Sequence, residues 1–138
     1  QAGHQPMHNE DGRFWIVYNG EVYNYAPLKL ILQEQGHQFT SDTDTEVILH
    51  AYEEWGHNCL DHLRGMFAFA IWDARARTLF AARDRLGIKP FYYCCTPELF
   101  AFASEVKALF AHPTVRRQID LRVRIAQRPA NSAETQYR

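Results

Sequence analysis

The chain has 138 residues, 46% of them hydrophobic and 14% aromatic, enough for one domain around a single core and too few to favour two. A formal net charge of -1 leaves no broad basic surface, which excludes electrostatic binding of nucleic acid, and no apolar run is long enough to span a membrane. Three cysteines, Cys59, Cys94 and Cys95, are odd in number and spaced for no disulfide framework, so a reducing, cytoplasmic setting is expected.

In chain order, Asn9-Glu10-Asp11-Gly12 reads as a turn, and Met7 to Tyr18 as a hairpin whose second arm is the aromatic and β-branched run Phe14 to Tyr18. Asn19-Gly20 is expected to break that strand, because both residues tolerate positive φ and the pair most often makes a turn. Asn24 as N-cap, Pro27 in the first turn, and Leu28, Ile31 and Leu32 at helical spacing predict a helix that Gly36 ends. Thr43 or Asp44 caps a second helix, with Val47, Ile48, Ala51, Tyr52 and Trp55 on its apolar face and Gly56 as its stop. His57, Cys59 and His62 fall where a short helix or turn is expected and read as packing and surface residues rather than metal ligands. The run Met66 to Asp73 alternates small and large residues and predicts a strand covered on both faces. Further strands are expected at Thr78 to Ala82, Phe91 to Cys95 and Leu99 to Ala103, with Asp84 to Pro90 as a loop and Ser104 capping a short helix through Phe110. Strands that follow one another without helical crossovers point to an α+β layered sandwich rather than a doubly wound parallel sheet. From Leu121 to Arg138 the pattern fails, and an irregular, disordered tail is expected.

The segment Tyr18-Asn19-Gly20-Glu21-Val22-Tyr23-Asn24 places an amide, a glycine and a carboxylate in consecutive positions after an apolar run. A site for a free amino-acid amide needs a carboxylate for the α-ammonium, donors for the substrate carboxylate, and an oxyanion hole. The Asn19 side-chain NH2 and the Gly20 backbone N–H can form such a hole, and Glu21 and Asp44 can grip an ammonium. Plainer roles exist for the same carboxylates: Asp44 as a helix cap and Glu21 as an exposed turn residue.

Ala2 to Met7, Tyr18 to Tyr25, Asp44 to Leu49, Gly65 to Asp73 and Ala82 to Pro90 together resemble the glutaminase domain of glutamine-hydrolysing asparagine synthetases. Tyr18-Asn19-Gly20-Glu21 with Arg83-Asp84-Arg85-Leu86-Gly87-Ile88-Lys89-Pro90 looks more like the synthetase branch than the sugar-phosphate or phosphoribosyl branches of class II glutamine amidotransferases. The resemblance covers residues 1–120 as a partial class II domain and leaves 121–138 as the tail. It implies an N-terminal-nucleophile hydrolase fold, a four-layer α/β/β/α sandwich with antiparallel sheets, incomplete here. It also implies that Asn19 and Gly20 are the oxyanion hole and that Glu21 and Asp44 hold the α-amino end of glutamine. The charges of the Arg83 to Pro90 loop are expected to form structural ion pairs rather than to touch substrate.

The chain departs from that family where it begins. The family's nucleophile is the thiol of an amino-terminal cysteine, whereas this sequence starts at Gln1, and none of its cysteines matches that place. A segment carrying an arginine for the substrate carboxylate also precedes the region present. ATP and Mg are expected only in the missing synthetase domain, since no Ser-Gly-Gly phosphate loop occurs here, so no cofactor is expected in this chain. The expectation is a piece truncated at both ends, by a frame slip or an incomplete gene, and inactive alone. Its partners would be glutamine and the missing synthetase domain. Without its first strands the Phe14 to Tyr18 strand should have an unpaired edge and favour a homo-oligomer. The alternatives are a non-catalytic remnant that binds amino acids or proteins, and an amidotransferase with a different acceptor.

Overall fold

In the computed structural model, which describes residues 4–117, the turn Asn9 to Gly12 joins β1 (Met7–His8) to β2 (Phe14–Val22). Ala2 and Gly3 of the first motif and the expected tail from Leu121 to Arg138 lie outside the described residues. Gly12 N–H donates to Asn9 O at 3.0 Å, and the buried Asn9 side chain accepts from Phe14 N at 3.0 Å, so the hairpin expected here is fastened at both ends of its turn.

β2 does not end at Tyr18. It continues through Asn19 and Gly20 to Val22, paired with β3 (Gly65–Asp73) from Phe14 opposite Asp73 to Val22 opposite Gly65. The expected strand break at Asn19-Gly20 is therefore wrong, because a long antiparallel partner overrides a local turn preference. β4 (Thr78–Arg83) completes an antiparallel sheet of order β1-β2-β3-β4. β3 is buried from Phe67 to Ile71, as expected of a strand between layers. The unpaired edge expected on Phe14 to Tyr18 is present in part: β3 lies along one side and β1 covers Trp15 and Ile16 on the other, while Val17 and Tyr18 have no strand partner there among the described residues.

Helices α1 (Tyr25–Glu34) and α2 (Asp44–Trp55) pack together against the sheet. Leu28 and Leu32 of α1 join Val47, Ile48 and Ala51 of α2 in a core with Phe14, Ile16, Val22, Phe69 and Ile71. Each such fully buried side chain stabilises the fold by about 1.5–3 kcal/mol relative to exposure. Ile31, placed on the buried stripe by its spacing, is instead 44% exposed, because α1 presents a narrow face. Asn24 stands at the N-cap position without capping; its side chain donates to His62 O and accepts from Arg64 N, both at 2.8 Å, tying the start of α1 to the entry of β3.

A 3-10 turn at Gly56–Asn58 leads into α3 (Cys59–His62). His57 stacks on Phe80 at 4.6 Å and His62 on Trp55 at 4.0 Å, while Cys59 is buried, so these residues pack as expected. A second sheet pairs β5 (Tyr92–Cys95) with β6 (Phe100–Ala103), and Phe91 stacks on Phe102 at 5.4 Å. α4 (Val106–Leu109) follows, with Glu105 rather than Ser104 at its N-cap position and no side-chain cap. The two sheets face each other across a cavity lined by Val17, Ala68 and Ala70 on one side and Phe91, Phe102 and Ala103 on the other. The layers thus run helix, sheet, sheet, helix. No helix among the described residues is long and apolar enough to cross a membrane.

Buried Asp73 closes the far end of β3. Its Oδ2 accepts from Arg13 Nη2 at 2.8 Å and Nε at 3.1 Å, and its Oδ1 from Arg75 N at 2.8 Å and Ala76 N at 2.9 Å. The Arg13 hydrogen bond first, then the Ala76 amide, bring its carboxyl from 3.8 to about 2. A carboxyl depressed by folding stabilises fully above its unfolded value and loses that contribution as pH falls through its folded value. The Asp73 contribution should therefore vanish between pH 3.8 and about 2. Denaturant midpoints across that window should fall less steeply for Asp73→Asn than for the parent, and the variant should already be less stable at neutral pH.

Candidate functional site

The loop that enters α2 is organised by one carboxylate. Buried Glu46 accepts from Thr40 N and Oγ1, both at 2.8 Å, from Ser41 N at 2.7 Å and from Ser41 Oγ at 2.6 Å. Burial pushes the Glu46 carboxyl up, and the Ser41 and Thr40 hydrogen bonds outweigh it, leaving the group below its ordinary value. Thr43, fastened to Ser41, then caps the helix by accepting from Glu46 N at 3.4 Å, the first half of a capping box. Asp44 is thereby released from the capping role and becomes the first residue of α2.

Asp44 turns to β2. Its Oδ2 accepts from Tyr18 OH at 2.6 Å and from Val22 N at 3.0 Å, and its Oδ1 has no hydrogen bond among the described residues. Burial first, then the Asp44 hydrogen bond, then the charges of Asp44 and Glu21, raise the Tyr18 phenol well above its ordinary value and keep it a donor. Both candidate ammonium-binding carboxylates therefore act on one hydroxyl. Glu21 is exposed on a strand rather than in a turn, which corrects its plainer reading.

Asn19 is exposed and lines the cavity between the sheets, about 170 Å³ in volume, together with Gln5, Phe69, Pro90 and Ser104. Gly20, Glu21 and Asp44 are not part of its lining. Asp44 thus meets Tyr18 through a hydrogen bond, Glu21 acts on the same phenol only through its charge, and Asn19 lines the space between the sheets. Gly20 sits in a close approach of strands: a Cβ there would lie 2.7 Å from Phe67 Cα.

Two members of this arrangement were not singled out from sequence. Tyr18 joins the layers through its hydroxyl, and Gln5 Oε1 accepts from Tyr18 N at 2.6 Å. A half-buried tyrosine needs a partner for its O–H, but which group supplies it depends on the helix packed against the strand. The Arg83 to Pro90 loop is structural, but backbone hydrogen bonds hold it more than its one exposed ion pair, Arg85 with Asp61. Buried Asp84 accepts from the backbone N–H groups of Phe67, Leu86, Ile88 and Lys89 at 3.3, 3.1, 2.9 and 3.0 Å, and Arg83 donates to Gly87 O and Lys89 O. Burial would raise the Asp84 carboxyl; those amides more than offset it and hold it below its ordinary value. Cys59 offers no nucleophile, since burial pushes its thiol to about 12 and leaves it protonated at neutral pH.

Residues 1–134 match a family described as the glutamine amidotransferase domain. The chain is 49% identical over 122 residues to asparagine synthetase [glutamine-hydrolyzing] 3 of Bacillus subtilis, covering 87% of this chain and 20% of that protein. It is 47% identical over 118 residues to asparagine synthetase [glutamine-hydrolyzing] 2 of the same organism, covering 86% of this chain and 16% of that one. The chain thus spans a fifth or less of the length of these relatives. Among solved structures, a glutamine phosphoribosylpyrophosphate amidotransferase from B. subtilis, complexed with ADP and GMP, superposes with a TM-score of 0.65 at 29% identity, over 77% of this chain and 25% of that one. The α+β sandwich with antiparallel sheets read from the sequence is accordingly of the N-terminal-nucleophile hydrolase type, present in part.

Gly20→Ala tests the seam on which the site is built. The added methyl would meet the backbone of Met66 and Phe67, which cannot swing away as a side chain can. Forcing atoms into such a space costs about 1–3 kcal/mol or more, and the upper end is expected. A thermal or denaturant melt should show it, and an unchanged midpoint would mean that β2 and β3 are free to part.

Proposed function

From the premise that this chain belongs to the glutamine amidotransferase domain family, we propose that it is part of the glutaminase half of an asparagine synthetase-like ligase, which hydrolyses glutamine to supply ammonia. The observation that carries this reading is the Asp44 carboxylate. One of its oxygens is spent on Tyr18 and Val22, the other is unpartnered among the described residues, and Glu21 lies within electrostatic reach of the same hydroxyl.

In this reading the glutamine α-ammonium docks on Asp44 Oδ1 and Glu21, where two negative groups converge on a site half shielded from water. The side-chain amide of glutamine then points toward Asn19 and Gly20. The Asn19 NH2 and the Gly20 N–H would receive the oxyanion that forms when the amide carbon becomes tetrahedral; one such donor is worth about 2.7–4 kcal/mol in the transition state. The bond to be broken is the carboxamide C–N bond, and the nitrogen leaves as ammonia. A thiolate with its own α-amine as base is the family's nucleophile, and none of Cys59, Cys94 and Cys95 joins the two groups in one residue. The chain Gln1–Arg138 by itself is proposed to bind glutamine without turning it over. ATP and Mg belong to the synthetase part of the ligase, and no residue here is assigned to them.

Glutamine binding to the full chain, followed by ligand-observed NMR or calorimetry, tests the reading. Asp44→Asn removes the charge but keeps acceptors for Tyr18 and Val22, and should weaken binding by about tenfold or more, as for a charge-assisted hydrogen bond of about 1.5–3 kcal/mol. Glu98→Gln, on the exposed β5–β6 turn, should leave it unchanged. Equal affinity in the parent and Asp44→Asn would end the assignment of the ammonium site, and glutamate release by the parent chain would end the claim that it cannot turn glutamine over.

A further inference from the structure

The other end of α2, about 14 Å along the helix axis from Asp44, holds a second polar cluster. His50 and Glu53 stand one turn apart on the helix, and His37, from the loop after α1, faces them. Among the described residues these three bring ligating atoms within 4.8 Å of one another. Glu53 Oε2 lies 3.2 Å from His50 Nδ1 and 3.7 Å from His37 Nδ1.

The groups behind these atoms matter as much as the atoms. His37 Nε2 is 3.0 Å from Glu54 Oε2, and His50 Nε2 faces Glu10 Oε1 at 3.7 Å and Glu46 Oε1 at 3.9 Å. The second Glu53 oxygen, Oε1, accepts from Asn9 Nδ2 at 3.0 Å. Glu54 occupies His37 Nε2 and leaves His37 Nδ1 to face Glu53, while His50 Nδ1 stands at hydrogen-bond distance from the same Glu53 oxygen. Both Nδ1 atoms thus face one carboxylate oxygen. A single proton bridges one of the two contacts, whereas a divalent cation bridges both. His37 is backed by a hydrogen bond with Glu54 and Glu53 by one from Asn9, while His50 Nε2 faces Glu10 and Glu46 without a direct hydrogen bond; two imidazoles and one carboxylate with such neighbours match the outer-shell pattern of a transition-metal site.

We propose that His37 Nδ1, His50 Nδ1 and Glu53 Oε2 bind one divalent transition-metal ion, zinc being the reference case, with water completing the coordination. His50 is buried and fixed, while the Glu53 side chain is 30% accessible and opens the site to solvent. Imidazole donors favour zinc, cobalt or nickel over magnesium or calcium, which prefer all-oxygen sets. The site is separate from the Asp44 site and stands whether or not this chain binds glutamine.

The test is zinc titration of the full chain in competition with a chromophoric chelator, with cobalt as a spectroscopic substitute. One equivalent should bind, and the cobalt spectrum should lack a thiolate charge-transfer band, which would mark Cys94 and Cys95 instead. His37→Gln and Glu53→Gln should each weaken binding by more than about tenfold, and Glu54→Gln, at a partly exposed position that spares the core, by about tenfold. The double variant Cys94→Ser, Cys95→Ser should bind as the parent does. Failure of the parent to bind zinc, a thiolate band, or unchanged affinity in Glu53→Gln and Glu54→Gln chains with parental circular dichroism would each overturn the assignment.

Discussion

The close approach of β2 and β3 is the constraint on which the remaining structure depends. Gly20 and Gly65 lie across this seam in positions where a side chain has no room: a Cβ on Gly20 would sit 2.7 Å from Phe67 Cα, and one on Gly65 would sit 2.9 Å from Val22 Cα. The strands close most tightly where Asn19, Gly20 and Glu21 emerge. Because side chains alternate along a strand, a slip of one residue would exchange the buried and exposed faces of β2 and carry Asn19 and Glu21 away from their places. The glycines make that slip costly by matching only one register.

A sheet alone does not build the site; α2 must be set against it. Asp44 does this with one oxygen, accepting from the Tyr18 hydroxyl and the Val22 amide, and the loop behind it is held by Glu46. The same device recurs. Asp84 gathers backbone amides from its own loop and from β3, and Asp73 gathers two from the β3–β4 turn. Carboxylates satisfied by fixed backbone N–H groups order loops at little side-chain entropy, whereas an exposed pair such as Arg85 and Asp61, 3.9 Å apart, contributes little. This is why a chain with 16 acidic and 15 basic residues uses its buried acids as loop anchors more than as ion-pair partners.

The helices, the central strand and the layer order were readable because they rest on long periodic patterns: Leu28 and Leu32, Val47, Ile48 and Ala51, and the apolar run at Phe67 to Ile71. The motif residues Asn19, Gly20, Glu21 and Asp44 were readable as a group through their resemblance to a family. Three things were hidden, each decided by distant contacts. The continuation of β2 through Asn19-Gly20 depends on a partner strand more than forty residues away in sequence. Asn24 spends its side chain on His62 and Arg64 rather than on its own helix. The pairing of Tyr18 with Asp44 needs both layers in place, and no local pattern announces it.

α2 also departs from a simple amphipathic helix in a way that connects its two ends. Seven consecutive residues, Thr45 to Ala51, are buried, because the sheet covers one side and the loop between α1 and α2 covers another. A helix buried on both sides cannot keep Glu46 and His50 in water, so each must find partners inside, and no buried side-chain nitrogen or oxygen among the described residues lacks one. Those partners come from the same loop: Thr40 and Ser41 for Glu46, and His37 beside the His50–Glu53 pair. Whatever orders His37 against the C-terminal half of α2 therefore also steadies the segment that holds Glu46, caps the helix at Thr43 and aims Asp44 at β2. Order at the histidine cluster and order at the candidate glutamine site are two consequences of one loop conformation, joined by a rigid helix rather than by any direct contact.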